Sequence, residues 1–289
     1  MFTGLTLVTP PAAAPITIAD AKAHSRISIG LDDALLAGYI SSATIDVQDR
    51  LNRALMPQTW RMAMRNFPGR DPARFDAADM ANYLRWNHIK IPRPPLVSIE
   101  SFTYMDTSGI TYPMTQGYGS QVGNYLLDLE PEPGRLVLPF SGIWPTTILL
   151  PGSPIKITFN CGYPAFSGTL NLTSDGGAVW ASGTQFDPAM VGTWINVAGQ
   201  SFAVQAYTDA THVQLLIPAG ATQTTGTLAW SANAVPMPIR NAILYLAAHR
   251  YENREPVVTG RGITSVEIAS TVDDLLIGYH IPAGVYDDD

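Results

Sequence analysis

The chain has 289 residues, enough for about two domains and for a hydrophobic core that needs no disulfide or metal. Hydrophobic residues make up 46% of it and charged residues 14%, and 17 Lys and Arg against 24 Asp and Glu give a net charge of −7. This composition excludes a disordered chain and a uniformly basic nucleic-acid coat. The single cysteine, Cys161, excludes an intramolecular disulfide and a multi-cysteine zinc site.

Arginine dominates the basic residues, with 14 Arg against three Lys. Arginine suits planar, bidentate contacts at interfaces and on phosphates better than lysine does. Because the charge content is also low, this bias favours a protein whose surface is partly covered by partners in an assembly.

The N-terminus carries no basic region ahead of an apolar stretch and is interrupted by prolines, so we expect no signal peptide. No apolar run approaches the ~18–20 residues of a membrane-spanning helix. We therefore expect a soluble, cytoplasmic-type globular protein with no membrane partner.

The beginning of the chain predicts an extended arm followed by a short helix. Residues 1–15 are rich in proline and alanine, which favours the arm. Thr17 followed by Asp20 has the spacing of a capping box, in which each residue bonds the backbone of the other. The helix is expected to run to about Ile27.

A longer helix is predicted next, opened by Asp32 and Asp33 and ended by Pro57. The two acids suit the first turn of a helix, where the macrodipole favours negative charge. The apolar positions recur at helical spacing. They are Leu35, Leu36, Tyr39, Ile40, Ala43, Val47 and Leu51.

Residues 58–164 predict short strands separated by proline and glycine. The prolines of the IPRPPL stretch place their surroundings in loops or at sheet edges. The predicted strands cover residues 59–67, 88–91, 96–105, 110–114, 125–129, 135–138 and 155–160.

Residues 165–232 differ from both flanks, because they hold only three charged residues and no Lys or Arg. Threonine, glycine, serine and alanine dominate, which indicates an inserted small β module. Turns are expected at 198–200 and 208–210. The predicted strands cover residues 168–173, 193–198, 201–207, 212–216 and 226–230.

The C-terminal part returns to helices. Pro236 and Pro238 introduce a strong helix over residues 239–253. Beyond a glycine-containing loop, Thr271 is expected to cap a last short helix that runs to Tyr279.

The predicted fold class is therefore α+β, with a helical bundle formed by the N- and C-terminal helices and a central β-rich region. A small β-sandwich or barrel module is inserted into it. The predicted divisions are a helical core from 1–57 and 233–289, a β-rich region at 58–164 and the insert at 165–232.

The sequence predicts no catalytic, cofactor-binding or metal-binding residue. Phosphate-binding glycine loops, dinucleotide fingerprints and nucleophile elbows are missing from the sequence. His249 and Glu252 lie three apart on a predicted helix and could face one metal, but an exposed polar pair is the simpler interpretation. Cys161 follows a predicted strand, where a buried structural thiol is more usual than a nucleophile.

The most informative feature is the charge of residues 50–93. Nine cations and three acids give this segment +6 and leave −13 on the rest of the chain. Interleaved aromatic residues favour a surface that meets phosphates or an acidic partner, although ordinary strand-face cations would look the same. The candidate interface residues in this segment are Arg50, Arg53, Arg61, Arg65, Arg85 and Arg93.

Several segments together resemble the small head–tail connector, or adaptor, proteins of tailed bacteriophages. The resemblance covers residues 1–164 and 233–280, and residues 165–232 are an addition. It rests on the order of five stretches: ITIADAKAHSRI, LDDALLAGYISSATIDVQDRLNRALMPQTWRM, IPRPPLVSIESFTYMD, EPGRLVLP and VPMPIRNAILYLAAHRYENREPV. None of these stretches is catalytic, so the resemblance implies a fold and an assembly role.

The resemblance implies a ring, usually of twelve copies, below the portal of a DNA-filled head in the virion neck, assembled in the host cytoplasm. Its implied partners are further copies of the chain, the portal protein and the next head-completion or tail connector protein. DNA would pass through the channel without sequence-specific binding, and no cofactor is implied. The family's YENRE segment adds candidate interface residues at Tyr251, Glu252, Asn253, Arg254 and Glu255.

Within this hypothesis, the segment at residues 50–93 would lie at contacts between copies or with the portal, and the insert would project outward. Two alternatives stay open: a tail-fibre or receptor-binding protein, and a virion-associated carbohydrate-active enzyme. The enzyme hypothesis would use Trp180, Trp194 and Trp230 to stack on sugars, although such residues more often fill a small β core.

Overall fold

The computed structural model describes residues 2–28, 30–68, 88–117, 123–139, 142–173, 175–198, 200–216, 227–253 and 266–282. The chain forms two compact units. The first contains Met1–Ala12, Arg50–Gly162 and His280–Asp289, and the second contains Ala13–Asp49 and Tyr163–Tyr279.

The first unit is built on a five-stranded antiparallel sheet with the order β1-β2-β8-β4-β5. A smaller three-stranded sheet, β3-β7-β6, belongs to the same unit. The strands are β1 (Phe2–Thr9), β2 (Gln58–Met64), β3 (His88–Lys90), β4 (Leu96–Met105), β5 (Thr111–Pro113), β6 (Leu126–Asp128), β7 (Arg135–Val137) and β8 (Ile155–Cys161).

Alternation along the strands places the core on one face of the larger sheet. In β8, Ile155, Ile157 and Phe159 are fully buried, whereas Lys156 between them is exposed. Phe67 stacks on Trp144 with ring centroids 5.5 Å apart and extends this core beyond the strands. The opposite face of the sheet carries small polar and basic side chains.

The second unit contains a closed six-stranded antiparallel barrel with the order β10-β13-β12-β11-β14-β9. Closure leaves the barrel without an unpaired edge. The strands are β9 (Ala165–Leu172), β10 (Gly177–Gly183), β11 (Trp194–Val197), β12 (Gln200–Asp209), β13 (His212–Leu216) and β14 (Thr227–Asn233). The inserted β module expected from composition is thus a barrel.

Four helices complete the structure: α1 (Ile18–Ser25), α2 (Asp33–Leu51), α3 (Met237–Glu252) and α4 (Val266–Leu276). The capping box at the start of α1 is confirmed, with Asp20 N–H donating to Thr17 Oγ1 at 3.1 Å and Thr17 N–H donating to Asp20 Oδ2 at 2.9 Å. Within the second unit, α3 contacts both α1 and α4. A bundle of all the terminal helices stays a prediction.

Three expectations need correction. Part of the expected N-terminal arm is the strand β1, because its residues pair with β2 from Phe2 to Thr9. Thr271 does not cap the last helix, since α4 begins at Val266. The strand β10 was not expected.

No helix in the described ranges is long and apolar enough to cross a membrane.

Candidate interface residues

The strand β2 carries part of the basic segment and lies between β1 and β8 in the larger sheet. Arg61 and Arg65 are exposed, and neither forms a hydrogen bond or ion pair within the described part of the chain. Arg50, at the end of α2, is exposed as well. Arg85 lies outside the described residues. The structure therefore presents three of the six predicted arginines to solvent.

Two arginines of the same segment have internal contacts. Arg53 is only 6% exposed, and its Nη2 lies 2.5 Å from Glu132 Oε2 in the first unit. Arg93 holds its guanidinium 5.3 Å from the centroid of the Trp60 ring, a cation–π arrangement. These contacts stabilise the unit, so the two side chains are less suited to an external partner than Arg61 and Arg65.

The solvent-facing side of the larger sheet has an ordered polar surface, here called the outer sheet face. Residues directly opposite in a sheet share a face, so the register defines its members. They are Thr59, Arg61 and Ala63 on β2, Lys156, Thr158 and Asn160 on β8, and Ser98, Ser101 and Thr103 on β4. A hydrogen-bonded row crosses it, from Thr59 Oγ1 to Asn160 Oδ1 at 2.7 Å and from Asn160 Nδ2 to Ser98 Oγ at 3.1 Å.

The end of α3 joins the N-terminal helices of the second unit. The Tyr251 hydroxyl donates to Asp32 Oδ2 at 2.7 Å, and Arg250 pairs with Asp46 of α2. Asn253 donates from its backbone N–H to the His249 carbonyl at 2.9 Å. Of the predicted interface residues in this segment, Tyr251 therefore uses its side-chain hydroxyl in a hydrogen bond within the second unit.

Glu252 and Asn253 are exposed. Arg254 and Glu255 lie outside the described residues.

Sequence reasoning missed a buried polar group that holds α1, α3 and the barrel together. Asp20 Oδ2 lies 3.6 Å from Arg240 Nη2, and Ser201 of β12 donates to Asp20 Oδ1. Arg240 is 8% exposed, and this burial lowers its pKa while the Asp20 carboxylate opposes the shift. The capping-box spacing identified Asp20, but its partners are distant in sequence and gave no local signal.

The groups singled out for chemistry have contacts within the chain. His249 is hydrogen-bonded to Asn253, and no cluster of three His, Cys, Asp or Glu side chains suited to a metal occurs among the described residues. Cys161 is 1% exposed, and its thiol lies 3.7 Å from the Gln58 carbonyl oxygen. Burial raises the pKa of the Cys161 thiol to about 12, with Arg93 opposing the shift.

We predict that Cys161 is nearly inert towards thiol reagents in the folded protein. With a pKa of about 12, only about one thiol in ten thousand is ionised at pH 8, and the thiolate is the reactive species. Modification by iodoacetamide should be about a thousandfold slower in the native protein than in the urea-unfolded chain. Comparable rates in the two states would show that the thiol is accessible and activated.

The tryptophans considered for sugar stacking differ in exposure. Trp230 is 3% exposed and packs 5.3 Å from Phe186 in the barrel core, and Trp180 is partly buried against the same core. Trp194 is 39% exposed. Trp230 therefore fills the barrel interior, and Trp180 packs against the core from a partly exposed position.

Comparison with known proteins finds a family similarity near the N-terminus, over about a quarter of the chain. A family model described as phage gp6-like head-tail connector protein matches residues 15–83. No curated protein matches the chain.

Solved structures share the fold over nearly the whole chain. One comes from the virion of a native gene transfer agent particle, and another from the neck of that particle computed with C12 symmetry. Each matches with a TM-score of 0.52 and 15% identity, covering 97% of this chain and 96% of the other. At this identity the likeness shows the fold alone. The segment matched by the family model contains α1, α2 and β2. Over that segment, about a quarter of the chain, the protein is similar to the phage gp6-like head-tail connector proteins.

Proposed function

We propose that the protein is a structural component of a virion neck, a head–tail connector that joins a DNA-filled head to the tail. The observation that carries this proposal is the family match at residues 15–83, which contains the capping box of α1 and the whole of α2. The fold of the complete chain supports it, because the similar solved chains belong to a gene transfer agent particle and its neck.

In this proposal, copies of the chain form a closed ring below the portal, and DNA passes through the channel. A ring of twelve agrees with the C12 symmetry used for the neck of the similar particle. Closed rings use heterologous contacts, in which one surface of a copy meets a different surface of the next. Among the exposed candidate residues, Arg50 and Glu252 have opposite charges and suit such contacts.

The remaining expectations complete the proposal. The portal protein and the next connector or tail component are the neighbours along the neck. The terminal helices form the bundle of the connector core, the barrel is the inserted module, and the role is non-catalytic. The neutral, buried thiol of Cys161 is consistent with a structural role.

We predict that the purified protein forms a ring of about twelve copies, alone or with its portal. Twelve chains of 31.2 kDa have a mass of about 374 kDa. Native mass spectrometry and negative-stain images of one sample would measure both copy number and closure. If the chain is monomeric alone, the same measurements are made after mixing it with its portal.

A stable trimer would contradict this proposal and favour the fibre alternative. A monomer that also fails to join the portal would contradict it as well.

A further inference from the structure

The outer sheet face concentrates positive charge on one side of the first unit. Arg61 and Lys156 are exposed, and neither side chain has a hydrogen bond or ion pair in the described part of the chain. Arg65, directly after β2, is exposed and has no such bond either. By contrast, Arg53 and Arg135 of the same unit have carboxylate partners.

The strand register brings two of these cations together. Arg61 lies opposite Thr158, and Lys156 lies opposite Ala63, so Arg61 and Lys156 are diagonal neighbours on adjacent strands. Diagonal positions in a sheet are about 7–8 Å apart, within reach of long side chains. Two cations this close together raise the positive potential of the face, which favours an anion beside them.

The nine positions of the outer sheet face include no acid. The only acid within the strands of this sheet, Glu100, is exposed at the register shift of β4 between Ile99 and Ser101, and β8 separates it from Arg61 on β2. Apart from Ala63, the positions around the cations are hydroxyl or amide side chains, as at Thr158 and Asn160. The face therefore combines cations with neutral polar side chains.

This chemistry fits phosphate better than a protein surface. The core of a protein–protein interface is enriched in aromatic residues, methionine and arginine and depleted in lysine, serine and alanine. Apart from Arg61, the outer sheet face has the reverse composition, with Lys156, Ala63 and several serines and threonines and no aromatic residue. Arg, Lys, Ser, Thr and Asn are the side chains that contact the phosphates and sugars of DNA.

We propose that the outer sheet face contacts the phosphate backbone of duplex DNA, without reading its sequence, through Arg61, Arg65 and Lys156. This inference rests on the proposed function, in which DNA passes through the neck. It assigns those three cations to DNA and leaves contacts between copies to other surfaces. The net charge of −7 limits the affinity for DNA, because most of the chain repels DNA while this face attracts it.

The test is binding of the full-length protein to a fluorescently labelled duplex of mixed sequence, measured by anisotropy over a range of salt concentrations. Each phosphate contact contributes about 0.9 to the slope of log affinity against log salt. Arg61→Gln, Arg65→Gln and Lys156→Gln should each lower the slope by about that amount and weaken binding about tenfold near 50 mM salt. A second duplex of different sequence should bind with the same affinity.

Arg26→Gln is the matched control. It removes one cation that also lacks a bonded partner within the described residues, but lies at the end of α1 in the second unit. It should change neither slope nor affinity. The native mass of every variant is measured on the same samples and should equal that of the parent protein.

Three outcomes would overturn the inference: no DNA binding by the parent at low salt, equal effects of Arg26→Gln and Arg61→Gln, or loss of the ring in the Arg61, Arg65 or Lys156 variants. The last would make the face an interface between copies. A parent protein that stays monomeric even with its portal and still binds DNA through these three side chains would support the inference while removing the proposed ring.

Discussion

Replacing Asp20 with alanine should destabilise the protein by about 3–5 kcal/mol, the usual cost of removing one partner from a buried ion pair. The Asp20 and Arg240 side chains are 12% and 10% exposed, so the variant would leave the Arg240 guanidinium buried without its counter-charge. It would also remove the capping-box bond to Thr17 and the bond from Ser201. The free energy of unfolding in urea, monitored by circular dichroism, measures the loss.

Asp33→Ala is the matched control for this prediction. Asp33 pairs with Lys22 at 2.7 Å, but their side chains are 44% and 21% exposed, so its removal should cost less than about 1 kcal/mol. Asp20→Asn keeps an acceptor for the Thr17 N–H while removing the charge. Its loss of stability should lie between those of Asp20→Ala and Asp33→Ala. If Asp20→Ala and Asp33→Ala lowered the free energy of unfolding equally, the buried pair of Asp20 and Arg240 would contribute no more stability than the exposed pair of Asp33 and Lys22.

Features set by neighbouring residues were predictable from the sequence. The capping box at Thr17, the helix α2 and the strand β4 all occur where spacing or alternation indicated them. Each depends on interactions within a few residues along the chain, which leave a pattern in the sequence. The composition step at residue 165 likewise coincides with the start of the barrel.

The strand β10 shows why other parts were missed. Its sequence, GAVWASG, is rich in glycine, alanine and serine, which have low strand propensity. It forms a strand because β9 and β13 pair with it on either side and close the barrel. Its end packs so tightly that a Cβ on Gly168 would lie 2.2 Å from the Ser182 carbonyl oxygen. Such non-local pairing leaves no local pattern.

The candidate interface was predictable as a region but not residue by residue. The charge count identified Arg53 and Arg61 alike, yet one is buried against Glu132, 79 residues away, and the other is exposed. Lys156 escaped the count because it is distant along the chain, although β8 places it diagonal to Arg61. Only the register of the sheet separates structural arginines from those available to a partner.

Gly162→Ala should be among the most damaging glycine replacements in the described part of the first unit. Gly162 has a φ of +113°, and a Cβ there would lie 2.1 Å from the backbone carbonyl oxygen of Met56. Its N–H also donates to the Pro95 carbonyl at 2.9 Å, so the backbone cannot shift without losing that bond. We expect a loss of more than about 3 kcal/mol, or failure to fold, since the clash adds to a backbone strain of about 1–3 kcal/mol.

Gly152→Ala separates the cost of the steric clash from the cost of the backbone strain. Gly152 has a similar φ of +109°, but a Cβ there would have no atom within 4 Å. Its replacement should cost only the backbone strain, and thermal denaturation of both variants would measure the difference. If the two variants lost the same stability, the close approach of Gly162 to Met56 would carry no cost, and the first unit would be able to rearrange where β8 ends.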